Sequence, residues 1–214
     1  MLGRMSFASA ERAKLRDLLL EVGPEAPTLC EGWVTHDLAV HLWLRECRPD
    51  ASAGMVLGFL NGHLESLTRR QKSRPYESVV REWGSGPGRL SPARLIDVPF
   101  NTVEHFVHHE DVRRGGGEVE PRDFSRRVNE LLWGYCGRMA PMILRRNPRP
   151  VVLEGRGMRP IVAADRRGVA AKGDAVTRVQ GEPGEILLWC YGRSAAEVTV
   201  EGNEGEGSES SLQG

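Results

Sequence analysis

Three of the six histidines crowd into one run, Glu104-His105-Phe106-Val107-His108-His109-Glu110-Asp111. On a helix, residues i and i+4 stand one above the other, so Glu104 with His108 and His105 with His109 each form a pair with metal-ligand spacing. At about 100° per residue, Phe100, Val103 and Val107 define a buried stripe. Glu104, His108 and Asp111 lie along its flank, while His105 and His109 point to the opposite side. The periodicity therefore favours Glu104 and His108 as the inward pair. His41 shares a face with Leu38, Leu42 and Arg45 and points inward from another segment. Two imidazoles and one carboxylate leave a divalent ion an open position for water or substrate, the arrangement typical of catalytic zinc. Nickel or iron suit similar ligands. Asp111, one turn beyond His108, can reach the same region as an outer acceptor for an imidazole N–H.

Other readings stand beside this one. A histidine on a helix is more often a surface residue or a hydrogen-bonded core residue than a ligand. An inward Glu104 needs a partner, because an unpaired buried carboxylate is costly; a metal or Arg45 would supply it. The second pair, His105 and His109, is the alternative ligand set. His36 and His63 read as exposed. Trp33, Trp43, Trp83 and Trp133 read as core or pocket wall, and Arg113-Arg114 and Arg145-Arg146 as solvated helix ends.

Such ligands need helices to hold them, and the apolar spacing predicts helices. Phe7, Ala10, Leu15, Leu18, Leu19 and Val22 form a stripe over Ser6–Val22, with Ser6 or Ser9 as cap and Gly23-Pro24 as stop. Thr35–Glu46 begins a second helix, with Thr35 as N-cap and Asp37 in the first turn. Met55–Arg70 is a looser helical pattern, and Gly84–Pro92 reads as a loop. A further helix starts near Pro99 and ends at Gly115-Gly116-Gly117; Asp123–Arg146 is the longest helical pattern. After Asn147-Pro148 the texture turns β-rich, with strands over Pro150–Leu153, Ile161–Ala164, Gly168–Ala171 and Ala175–Val179. A helix over Glu182–Tyr191 and a strand over Glu197–Val200 complete it. The expected class is α+β, with a metal-binding helical domain over 1–148, a small α/β domain over 149–202 and a disordered tail over 203–214. The α/β piece is too short for a robust core of its own and is expected to pack on the helices.

Composition narrows the function classes. Apolar residues make up 40% and charged residues 27%, the balance of a globular protein. Lys plus Arg, 29, equals Asp plus Glu, 29, so no global field favours nucleic acid or an anionic membrane. No apolar run reaches a membrane span and the start lacks a signal core, so a cytoplasmic protein is expected. Cys30, Cys47, Cys136 and Cys190 include no C-x-x-C pair, which suggests reduced, mostly buried thiols. No G-x-S-x-G, P-loop or dinucleotide fingerprint is present.

The run Leu29-Cys30-Glu31-Gly32-Trp33-Val34-Thr35-His36-Asp37-Leu38-Ala39-Val40-His41-Leu42, followed by Asn101-Thr102-Val103 and the histidine cluster to Asp111, resembles a known family. It is similar to the metal-binding domain of mycothiol-dependent maleylpyruvate isomerases, in the DinB-like superfamily, and in particular to an actinobacterial subgroup. The resemblance spans roughly residues 6–146 and rests on W-x-x-x-D-L-x-x-H-L followed by E-x-x-x-H-x-x-D. It implies a DinB-like up-down four-helix bundle with His41, Glu104 and His108 as metal ligands. The stretch Val179 to Arg193 looks like the small C-terminal domain of the same isomerases, in which an arginine faces the metal site; Arg193 is the matching position. The family implies a zinc enzyme that activates a low-molecular-weight thiol, mycothiol, against a small electrophile whose carboxylate the arginine binds. Thiol-dependent isomerisation or S-transfer is the implied reaction, maleylpyruvate being one possible substrate, in a monomer or homodimer. The rival expectation is a non-catalytic metal-binding or small-ligand-binding protein.

Overall fold

In the computed structural model, which describes residues 6–48, 61–86, 98–165 and 176–202, Ser6 opens the first helix. Its hydroxyl accepts the Ser9 N–H at 3.2 Å, satisfying one of the orphan donors of α1 (Phe7–Val22). Glu11, Leu15 and Leu19, four residues apart, form its buried line. Gly23, at φ 80°, ends the helix with its N–H on the Leu19 carbonyl at 3.2 Å. The next helix, α2 (Thr35–Cys47), starts one residue earlier than a Thr35 cap requires. Val34 is the cap residue, its N–H donating to Asp37 Oδ2 at 3.3 Å, while the Thr35 hydroxyl donates instead to the Gly23 carbonyl at 2.5 Å. Thr35 thus ties the start of α2 to the end of α1.

The chain forms two compact units, 1–119 and 120–214. The first holds α1, α2, α3 (Asn61–Lys72), α4 (Tyr76–Gly84) and α5 (Val98–Arg113). Residues 55–60 of the expected third helix lie outside the described residues, as does most of the loop expected after Gly84. The sequence reading contains no counterpart of α4. At nine residues it is too short to be stable alone, and it forms because Tyr76, Val79, Val80 and Trp83 dock on the core. Leu15, Leu19, Leu38, Leu42, Val79 and Trp83 meet in one cluster, each close to full burial; each such leucine contributes about 1.5–3 kcal/mol.

The surroundings of α5 correct the expectation of one inward and one outward flank. From Thr102 to Val112 every residue except Glu104 is buried, so His105 and His109 are enclosed as fully as His108. The side chain of Phe100, part of the expected stripe, lies outside the described residues. His105 Nε2 faces Glu46 Oε1 at 2.8 Å, and the same carboxylate accepts the Trp83 indole N–H at 2.8 Å and an Arg12 guanidinium N–H at 2.5 Å. His109 Nδ1 lies 3.0 Å from Glu11 Oε2. These buried groups are tolerated because each has a charged or hydrogen-bonding partner.

The second unit holds α6 (Arg126–Ile143), a 3-10 turn (Leu144–Arg146), β1 (Val151–Gly155), β2 (Ile161–Ala164), β3 (Thr177–Gly181), α7 (Pro183–Cys190) and β4 (Val198–Glu201). The sheet order is β2-β1-β3-β4, with β1 parallel to β3 and antiparallel to β2, and β3 antiparallel to β4. The α+β class is as expected. Within this unit α6 packs on α7 and β2. Gly155, at the end of β1, leaves room for the Trp133 ring of α6: a Cβ there would stand 2.8 Å from it. The strand expected over Gly168–Ala171 and the tail over 203–214 lie outside the described residues. No helix among the described residues is long and apolar enough to cross a membrane.

Candidate metal centre

His41 reaches the site from the middle of α2, and Glu104 and His108 reach it from successive turns of α5. Spacing explains the second pair, since one turn separates the two side chains on a single flank. Glu104 Oε2 lies 3.2 Å from His108 Nε2 and 3.8 Å from His41 Nε2. One ligand atom from each residue falls within 4.8 Å of the others. Zinc with ligand distances of about 2.0–2.1 Å places tetrahedral donors about 3.3 Å apart, so the Glu104–His108 separation already suits it and the Glu104–His41 separation is about half an ångström wider. The side chains are 22% (His41), 25% (Glu104) and 10% (His108) exposed, so the cluster is partly open to solvent.

Glu104 Oε2 is the polar atom that most directly suggests an absent ligand. It is buried and accepts no hydrogen bond, although Arg45 Nε at 3.4 Å and the two imidazole nitrogens surround it at ion-pair distance. Arg45 is held in turn by Asn101, its N–H donating to Oδ1 at 2.8 Å. Burial alone would raise the Glu104 carboxyl, but the close approach of His108 and His41 and the charge on Arg45 hold it far below the usual carboxylate range. It is an anion whose negative charge converges with two nitrogen donors, and this donor set fits a divalent cation.

The two histidines differ. Burial holds the His41 pKa down, outweighing its contact with Glu104. Burial also opposes charge on His108, yet Asp111, Cys30 and Glu104 together raise it well above the ordinary histidine value. Asp111, completely buried, faces His108 Nδ1 at 2.8 Å and accepts the Cys30 thiol at 3.2 Å. A carboxylate on Nδ1 fixes the tautomer and leaves Nε2, the nitrogen nearest Glu104, as the donor to a metal.

The structure thus brings His41, Glu104 and His108 together. Arg193 lies in the second unit just past α7, its guanidinium donating to the Tyr191 carbonyl at 2.6 Å. His105 and His109 enter neither group of three candidate ligands found among the described residues. His63 is exposed, as expected, while His36 is half-buried with its ring edge-on to Tyr76 at 5.5 Å. Trp33 is half-buried, its ring centroid 5.2 Å from that of His41. Sequence reasoning assigned Cys30 no role; its contact with Asp111 joins positions 81 residues apart, which no periodicity announces. The other thiols are held protonated by burial, Cys47 pushed up to about 11, Cys190 to about 12, and Cys136 also raised.

No family model and no curated protein matches the chain. Among solved structures it is similar to the crystal structure of the mycothiol-dependent maleylpyruvate isomerase, with a TM-score of 0.48 and 17% identity, covering 90% of this chain and 88% of that chain.

Proposed function

We propose that the chain is a divalent-metal enzyme, zinc being the expected ion, in which His41, Glu104 and His108 hold the metal and leave a position open to a low-molecular-weight thiol. The observation that carries this reading is the buried Glu104 oxygen without a hydrogen bond, set between two imidazole nitrogens. Three protein ligands and a partly exposed cluster suit a catalytic site, whereas a structural zinc site is closed by four. When bound, zinc supplies a Lewis acid that lowers the pKa of a coordinating thiol and favours its thiolate. The chain's own residues do the rest. Asp111 holds the His108 ring by Nδ1, Arg45 offsets the charge of Glu104, and Trp33 packs on the His41 ring.

The resemblance of the Trp33–His41 and Glu104–Asp111 motifs supports mycothiol as the thiol, a DinB-like up-down bundle for the helical unit, and isomerisation or S-transfer as the reaction. The resemblance of Val179–Arg193 supports Arg193 as the residue that binds a carboxylate on the electrophile. A bidentate guanidinium–carboxylate pair would then give the substrate its orientation.

Cobalt substitution tests the reading. Adding mycothiol to the cobalt protein should shift the visible d–d bands and create a sulfur-to-cobalt charge-transfer band. An unchanged spectrum at saturating thiol would sink the enzyme reading and leave a metal-binding protein. Once a turnover substrate is found, Arg193→Ala should raise KM for the carboxylate-bearing partner more than it changes thiol binding.

A further inference from the structure

The loop between α1 and α2, residues 23–34, touches the surroundings of both candidate histidine ligands. It is internally braced: Pro27 and Val34 form an isolated β-bridge, and the Thr28 hydroxyl donates to the Trp33 carbonyl at 2.9 Å and accepts the Cys30 N–H at 3.2 Å. The brace holds Trp33 and Cys30 in fixed relation. Trp33 lies against the His41 ring at 5.2 Å. On the other side, the Leu29 N–H donates to the Asp111 carbonyl at 3.0 Å and the Cys30 thiol donates to the Asp111 carboxylate at 3.2 Å. That carboxylate in turn holds His108 Nδ1 at 2.8 Å.

The loop reaches α5 only because Gly115 has no side chain. A Cβ at Gly115 would collide with the Pro27 carbonyl oxygen and stand 2.8 Å from Thr28 Cα. Both are backbone atoms, so the loop itself would have to move. Gly115 also lies in the turn that stops α5, its N–H on the Val112 carbonyl at 3.3 Å, so the stop and the loop seat coincide.

We propose that residues 23–34 act as a clamp that sets both imidazole ligands at once, with Gly115 as its seat and Cys30 and Trp33 as its two positioning contacts. Lifting the loop frees Asp111 from Leu29 and Cys30 and lets the His108 ring turn, and it removes the wall that limits rotation of His41. Because one segment makes both contacts, the two ligands lose their orientation together. His105 and His109, which pair with Glu46 and Glu11, stay in place. The consequence for metal affinity rests on the metal-centre reading above, whereas the clamp itself exists without metal.

The test uses Gly115→Ala in the full chain, read first without metal by the side-chain 15N–1H correlations of the histidines. His41 and His108 should shift and broaden while His105 and His109 keep their positions. Zinc affinity, read by chelator competition, should fall by about 10–100-fold, the range for losing an outer partner of a ligand. Unmoved His41 and His108 signals, or all four histidines moving together, would overturn the clamp. If Gly115→Ala does not fold, Cys30 decides: Cys30→Ala should move His108 and Cys30→Ser, which keeps a donor, should restore it. Equal effects of the two would overturn the proposal. A sulfur-to-cobalt charge-transfer band, in the absence of added thiol, that disappears in Cys30→Ser would also overturn it, by making Cys30 a ligand. Wild-type protein that takes up no zinc, with the His41 and His108 shifts nevertheless present in Gly115→Ala, would sink the metal reading and leave the clamp standing.

Discussion

On each flank of α5 a histidine of the helix meets a carboxylate, supplied on one side by α1 and α2 and on the other by α5 itself, and the two flanks are built differently. On one flank Glu46 accepts from Arg12, Trp83 and His105, and Glu11 faces His109 and Lys14. These carboxylates sit at 5% and 0% exposure with donors already in place. On the other flank Glu104 Oε2 is surrounded by three nitrogens and bonded to none of them. The difference separates two uses of one chemical pairing. A buried pair with complete partners holds helices together, and an incomplete one, partly exposed, is where a cation would gain most.

The largest expected break in this comparison comes from exchanging the flanks. His41→Ala or Glu104→Ala should weaken zinc binding by about 100-fold or more, above the range for outer partners, whereas His105→Ala should leave it within about threefold; chelator competition reads both. Loss of metal in His105→Ala with retention in Glu104→Ala would reverse the assignment of the flanks. Next in size, Glu46→Ala strands Arg12 and His105 in the core and should cost about 3–5 kcal/mol of stability, measured as a fall in urea midpoint, with little change in zinc affinity.

A smaller effect sharpens the contrast through pH. Burial alone would raise the Glu46 carboxyl, but His105, Arg12 and Trp83 outweigh it and hold its pKa below the ordinary value. A carboxyl depressed in the folded state contributes stability that is fully present above the unfolded value, about 4.3, and is lost as the pH falls toward the lower folded value. Metal-free protein should therefore lose stability below about pH 5, by up to about 1.4 kcal/mol for each unit of depression. Glu46→Gln should flatten that limb; an unchanged limb would show that the pair does not stabilise the fold.

Much of the helical framework was legible because it is written in local spacing. Leu15 and Leu19 in α1, and Leu38 and Leu42 in α2, announce their helices, and α5 was expected within a residue or so of its observed ends. What escaped were features decided by distant parts of the chain. The helix α4 exists through docking of Tyr76, Val79 and Trp83, and Val34 displaced Thr35 as cap because the Thr35 hydroxyl is taken by Gly23. An apolar stripe reports one buried face, and the enclosure of the other face of α5, where His105 and His109 meet Glu46 and Glu11 from α2 and α1, is set by residues distant in the chain. The same limit applies to the candidate site. The one-turn spacing of Glu104 and His108 and the face of His41 are readable, but Cys30 and Trp33 reach the two histidines through a loop whose seat, Gly115, reads in the sequence only as a helix stop.

Whether His41, Glu104 and His108 hold an ion is decided by metal content, measured by elemental analysis of the purified protein, after zinc reconstitution, and in parallel on His108→Ala and His105→Ala. About one zinc per chain is expected in the wild type and in His105→Ala, and loss of that zinc in His108→Ala. A reconstituted wild type without zinc, or His108→Ala with its zinc retained, would contradict it.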